Sequence, residues 1–253
     1  LKPVAYPLIA VISFLVIWHL YVDLAGVSKF VLPGPVAVFQ ALWQDFGSLG
    51  ISALATLKVT LYALGLAVFS GVLLALLFSL SRTFELTVYP FAVVLQVTPV
   101  VAIAPLVVIW VGIDNVDLAQ IIIAWLVAFF PILANMSAGL KSVDPNLSDL
   151  FRLYKATGWQ RFWMLLWPTA MPYLLASLKV SGGLALIGGV VAEFVAGSGA
   201  SSGLAWRIIE AGNRLQVEKM FAGLFLLAFM GTAIFYGFAM LERAILGPPV
   251  TKP

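Results

Sequence analysis

The sequence predicts an all-α, polytopic membrane protein with six transmembrane helices, and three observations carry that expectation. The 253-residue chain is 62% hydrophobic and 10% charged, with a mean hydropathy of +1.08 that is far above the range of soluble domains. Its apolar residues gather into six runs, at 4–24, 52–80, 86–110, 117–140, 170–196 and 220–246. A bilayer core of about 30 Å takes roughly 20 apolar residues as a helix, which each run supplies. The runs are long and unbroken, whereas a transmembrane barrel alternates polar and apolar residues over short segments.

The elements follow in order. Run 4–24 is followed by no A-x-A cleavage site and reads as a retained helix rather than a signal peptide. The chain starts at Leu1 rather than Met, which points to residues upstream. The break LPGP (32–35) precedes run 52–80, which carries Lys58. SRTFE (81–85) leads into run 86–110, where Pro90 and Pro99 with Pro105 each remove a backbone donor and favour kinks. GIDN (112–115) separates this from run 117–140, and GSGASSG (197–203) separates run 170–196 from run 220–246. The organisation expected is one transmembrane domain, 1–253, with a single large polar loop at 141–169.

Lys and Arg set the orientation, because they concentrate on the cytoplasmic side. With both termini inside, Lys2, Arg82, Lys141, Arg152, Lys155, Arg161, Arg243 and Lys252 face the cytoplasm, against Lys29, Arg207, Arg214 and Lys219 outside. This places loop 141–169 in the cytoplasm. The absence of cysteine excludes thiolate metal sites and thiol redox chemistry, and the lone His19 forms no histidine cluster, so no metal site is expected. A net charge of +3 gives no reason to expect a nucleic-acid partner.

The loop is basic and aromatic. Asp144 before Pro145 has the form of a helix start, with Asp as N-cap and Pro at the first helical position. Leu147, Leu150, Phe151 and Tyr154 then recur on one helical face, Thr157-Gly158 interrupts, and Trp159, Phe162, Trp163 and Leu166 begin a second pattern that Pro168 ends. Two short helices joined at a glycine turn are expected. They could lie on the inner leaflet, with Trp and Arg as anchors, or seat their apolar face in a groove of a soluble partner.

Residues 149–168 resemble the signature loop of binding-protein-dependent ABC transporter permeases, which reads E-A-A, three residues, G, nine residues, I-x-L-P. Asp149, Leu150 and Phe151 stand at E-A-A, Lys155 at the Gly, Leu165 at the Ile, Trp167 at the Leu and Pro168 at the Pro. Without that Gly, the turn is expected three residues later, at Gly158. KATGWQRFWMLLWPTAMP (155–172) is similar to the form in the nitrate, sulfonate and taurine branch. So are VLPGPVAVFQAL (31–42), ATLKVTLYALGLAVFSGVLLAL (55–76), TPVVAIAPLVVIWVGI (98–113) and AEFVAG (192–197), in the same order. The resemblance implies a six-helix type I permease with a coupling-helix loop, in which Asp149, Leu150, Phe151, Tyr154, Lys155, Gly158, Trp159 and Pro168 couple to an ATPase. It also implies a homodimer, two cytoplasmic ATPase subunits that bind ATP and Mg, and an external solute-binding protein. The substrate expected is a small nitrate-, sulfonate- or taurine-like anion or a pyrimidine- or flavin-type precursor. The chain itself has no G-x-x-x-x-G-K-[ST] loop to cradle a nucleotide, so no cofactor and no catalytic residues are expected in it.

Charges inside a bilayer are costly and usually face an interior or pair. Lys179, Gly182, Gly189 and Glu193 share one helical side, with offsets of 3, 10 and 14. That side either packs against another helix, as small residues allow, or lines the substrate path; Lys179 could also snorkel to the inner interface. Gln96, Thr98, Gln120 and Asn135 are further polar candidates for the path. Matching depths suggest an ion pair between Lys58 and Glu193, against each reaching water separately. The alternative function is an ion-coupled secondary transporter using Glu193 or Lys58, although the halves show no repeat of the kind such transporters carry.

Overall fold

The computed structural model describes residues 2–196 and 203–247, and all regular structure among them is helical. Most of the break GSGASSG, and Lys252, lie outside the described residues. Run 4–24 is α1 (Lys2–Leu24), and run 52–80 lies within α3 (Phe46–Leu80). Run 117–140 is α6 (Val116–Lys141), run 170–196 falls in α9 (Trp167–Ala196), and run 220–246 falls in α11 (Val217–Leu246). Short helices α2 (Pro35–Gln44) and α10 (Leu204–Asn213) were not expected. Five described segments are long and apolar enough to cross a membrane, or six if a bent pair counts as one span.

That pair corrects the expected continuous run 86–110. It is split into α4 (Arg82–Val97) and α5 (Val100–Val111), bent by 103°. Pro90 and Pro105 are absorbed inside their helices, whereas Pro99 stands at the break. A residue before proline is pushed out of the helical region, and Thr98 is extended, with φ −72° and ψ 127°.

The chain divides into two compact units, residues 1–55 with 202–229 and residues 56–201 with 230–253. In the first, Trp18 of α1 stacks on Phe225 of α11 at 5.7 Å. Gly223 of α11 lies so close to α10 that an added Cβ would stand 2.7 Å from Ile208. Lys219 donates to Asp45 at 2.7 Å, and Arg207 donates to Ser52 at 3.3 Å. The hydrogen-bonded Arg207 guanidinium, helped by Arg214, holds Glu210 below the usual carboxylate range against the opposing effect of burial.

The second unit is built on the antiparallel pair α6 and α9. Between lipid-immersed helices, close packing takes the place of the hydrophobic effect, and small residues permit it. A Cβ on Gly188 would lie 2.8 Å from Ala124 Cα, and one on Gly139 would lie 3.0 Å from Ala170 Cα. Ile132, Leu133, Met136, Ala170, Leu175 and Ala185 fill this contact, and Ala67, Ala75 and Phe78 of α3 join it. Tyr89 of α4 meets Phe130 of α6 at 6.1 Å, and Ala104 and Val107 of α5 pack with Ile123 and Ala192.

Candidate functional site

The polar loop between α6 and α9 folds as two short helices, α7 (Pro145–Leu153) and α8 (Gly158–Arg161), as its sequence predicts. The Asp144 carboxylate accepts from the Asn146 N–H at 2.8 Å, with Pro145 at the first helical position. The turn, however, is not made at Gly158. Lys155 makes it, at the family's glycine position, with a left-handed φ of 52°. Its N–H donates to Arg152 O and that of Ala156 to Phe151 O, each at 3.0 Å, which is the paired pattern of a Schellman helix end. Gly158 instead opens α8 behind a capping box, in which Gln160 N–H donates to Thr157 Oγ1 at 3.3 Å and Thr157 N–H donates to Gln160 Oε1 at 2.8 Å.

Pro168 does not end the second helix, contrary to expectation. α8 passes through a π-turn at Phe162–Leu166 into α9, giving one apolar segment from Gly158 to Val195. A helical proline lacks an N–H and crowds the carbonyl four residues earlier. The wider turn, closed by Trp167 N–H on Phe162 O, falls where that crowding would occur.

Leu150, Phe151, Tyr154, Ala156, Gln160 and Met164 line an open cleft of 260 Å³ on the two helices. Leu150, Tyr154 and Met164 are exposed, Tyr154 to 80%. Asp149, Lys155, Gly158 and Trp159 are also exposed. Trp159 meets Trp163 edge-on at 5.5 Å, and Trp163 meets Trp167 at 6.0 Å. Arg161 Nη2 donates to Ser148 Oγ at 3.1 Å and so joins α8 to α7.

The membrane candidates divide. Lys179 forms an ion pair with Glu242 of α11 at 2.6 Å, and a Cβ on Gly182 would stand 2.6 Å from Ile234 on the same helix. Gly189 faces Thr60 of α3, and Glu193, 1% exposed, accepts from Thr56 Oγ1 at 2.6 Å. Along this side of α9, Lys179 and Gly182 meet α11, and Gly189 and Glu193 meet α3. Lys58 and Glu193 are not brought together: Lys58 is exposed, with Nζ 6.0 Å from the Tyr62 ring centroid. Thr56 takes the carboxylate because, two residues away at about 100° each, Lys58 lies on a different side of α3.

Gln96 is exposed at the end of α4, beside the break at Thr98, whose hydroxyl donates to Val94 O at 2.6 Å. Gln120 is buried, and Asn135 Nδ2 donates to Pro131 O at 2.7 Å. Sequence reasoning missed Glu242 and Thr56 as partners. It also missed Glu85 of α4, which binds Arg82 and Lys141. Glu242 had a signal, being an acid within an apolar run.

Comparison with known proteins agrees with this architecture. A family described as the inner membrane component of binding-protein-dependent transport systems matches residues 67–247. The chain is 31% identical to a formylaminopyrimidine transport permease protein, ThiX, of Halalkalibacterium halodurans, over 95% of this chain and 94% of that one. It is 33% identical to a putative aliphatic sulfonates transport permease protein, SsuC, of Bacillus subtilis, over 91% and 82%. The crystal structure of an amino acid ABC transporter with histidines shares the fold at 16% identity, with a TM-score of 0.65 over 83% of this chain and 97% of that one. The chain thus belongs to the inner membrane components of binding-protein-dependent transport systems, as a type I ABC transporter permease of the nitrate, sulfonate and taurine branch.

Proposed function

We propose that this chain is the substrate-path subunit of an ATP-driven importer, and that α7 and α8 seat a separate cytoplasmic ATPase. The carrying observation is the cleft of Leu150, Phe151, Tyr154, Ala156, Gln160 and Met164. Exposed apolar patches of this kind mark interaction sites, and a paired-helix projection suits the groove of a soluble partner. The chain carries no nucleotide-binding loop, so ATP and Mg belong to the ATPase. Two copies of the permease enclose the path, two ATPase subunits drive it, and a solute-binding protein delivers the solute from outside. Both termini are cytoplasmic in a bacterial inner membrane, which puts the loop on the ATPase side.

The solute is a small anion of the sulfonate kind or a pyrimidine-type precursor, classes supported by the names of the two relatives. Gln96 and Thr98, with Gln120 and Asn135, are the path residues. An exposed amide at membrane depth is costly in lipid and suits a water-filled cavity at a broken helix. In the docking test, Phe151→Asp and Tyr154→Asp each release the ATPase while the membrane bundle stays folded. Wild-type copurification of the ATPase with both variants removes the docking assignment.

A further inference from the structure

We infer that Glu85 is a positioning residue for transport, holding α4 to the body that carries the docking loop through Lys141. This rests on the proposal that α7 and α8 receive the ATPase. Glu85 lies in the first turn of α4, behind the Ser81 cap, and is 8% exposed. Its two oxygens are used separately. Oε2 accepts from Arg82 Nη1 at 2.8 Å, within the same helix, and Oε1 accepts from Lys141 Nζ, across to α6.

Lys141 is the last residue of α6, and only residues 142–144 separate it from α7. Within that link Ser142 Oγ donates back to Gly139 O at 2.8 Å, and Asp144 caps α7. The other end of the loop runs through the π-turn into α9, and α9 is locked to α6 at Gly139 and Gly188. Arg161 and Ser148 tie the two loop helices together. The loop, α6 and α9 are thus joined as one body. α4 packs on α6 through Tyr89 and Ala92 and ends at the Thr98–Pro99 break, where a 103° bend separates it from α5 and provides a hinge position. The ion bridge at its first turn holds it to the body at the end opposite that break.

Glu85 is buried but the Lys141 side chain is half exposed, and an ion pair with a solvated partner adds little net stability. Its directed geometry does fix where two helices stand. Glu85 and Lys141 therefore suit the transfer of a loop displacement to α4, and with it to Gln96 at the far end of that helix.

The test uses the complete complex in liposomes and needs no transported solute. The sequence has no cysteine, so Val97→Cys introduces one label site per permease copy at the exposed end of α4, and labelling is read on the permease alone after the subunits are separated. In the parent carrying that site, maleimide labelling changes by about threefold or more between the nucleotide-free and ATP-trapped states. In Lys141→Met the change disappears while the ATPase still copurifies and hydrolyses ATP. Lys141→Arg keeps the charge and retains the change, and Glu85→Gln with Lys141→Met is no worse than the worse single variant.

The inference is overturned by a Lys141→Met complex that labels as the parent does, by equal impairment of the Arg and Met variants, or by a parent insensitive to nucleotide. Failure of the docking proposal shows separately, as an ATPase that stays bound to Phe151→Asp and Tyr154→Asp.

Discussion

Lys179 of α9 and Glu242 of α11 meet with 2.6 Å between Nζ and Oε2, both only partly exposed. Beside them a Cβ on Gly182 would stand 2.6 Å from Ile234 and 3.1 Å from Phe238, so the glycine permits the approach that the charges then fix. Removing one partner strands the other in a medium that solvates it poorly. Lys179→Met or Glu242→Gln is expected to lower stability by about 2 kcal/mol, reduced from a fully buried pair by partial exposure. The double variant should cost clearly less than the two single losses combined. Thermal unfolding in detergent measures the cycle, and strict additivity would show that the pair contributes nothing.

Lys155 holds a left-handed conformation at the bend between α7 and α8. A side chain in that region costs about 1 kcal/mol or slightly more, whereas glycine adopts it freely. Lys155→Gly is therefore expected to raise the stability of the loop by about 1 kcal/mol, partly offset by the greater entropy of glycine in the unfolded chain. Slower limited proteolysis between α7 and α8 is the readout. Faster cleavage would mean that the lysine makes a contact worth more than its strain.

The legible part of the fold follows from one dominant constraint. A bilayer requires long unbroken apolar segments whose backbone groups pair internally, and each of the six runs became helix. Local rules did less well where several residues competed. Three prolines occupied one run, but the break came at Pro99, where Thr98 could leave the helical region and turn its hydroxyl back onto Val94 O. The signals for α2 were present, with Gly34 before Pro35, yet they lay in a segment too short to attract a membrane assignment. Helical spacing placed Lys179, Gly182, Gly189 and Glu193 on one side. It carries no information on which neighbour each meets, and α11 and α3 divide them.

Thr56 and Glu193 give the sharpest contrast with an expectation from depth alone. Lys58 is near in sequence and opposite in charge, but its side chain is exposed beside Tyr62, while the neutral Thr56 hydroxyl reaches the buried carboxyl at 2.6 Å. Thr60 supports the arrangement by donating to Thr56 O at 2.8 Å, one turn along α3. A buried oxygen that loses a donor incurs its desolvation penalty, so Thr56→Val should cost about 1–3 kcal/mol, although the volume is almost unchanged. Thr56→Ser keeps the hydroxyl and should cost less than Thr56→Val. Coupling is the decisive measurement. Thr56→Val and Glu193→Gln should be non-additive in unfolding free energy, whereas Lys58→Met and Glu193→Gln should add within about 0.5 kcal/mol. If the lysine cycle shows the larger coupling, the carboxyl has Lys58 as its partner in the membrane, and the hydrogen bond to Thr56 is secondary.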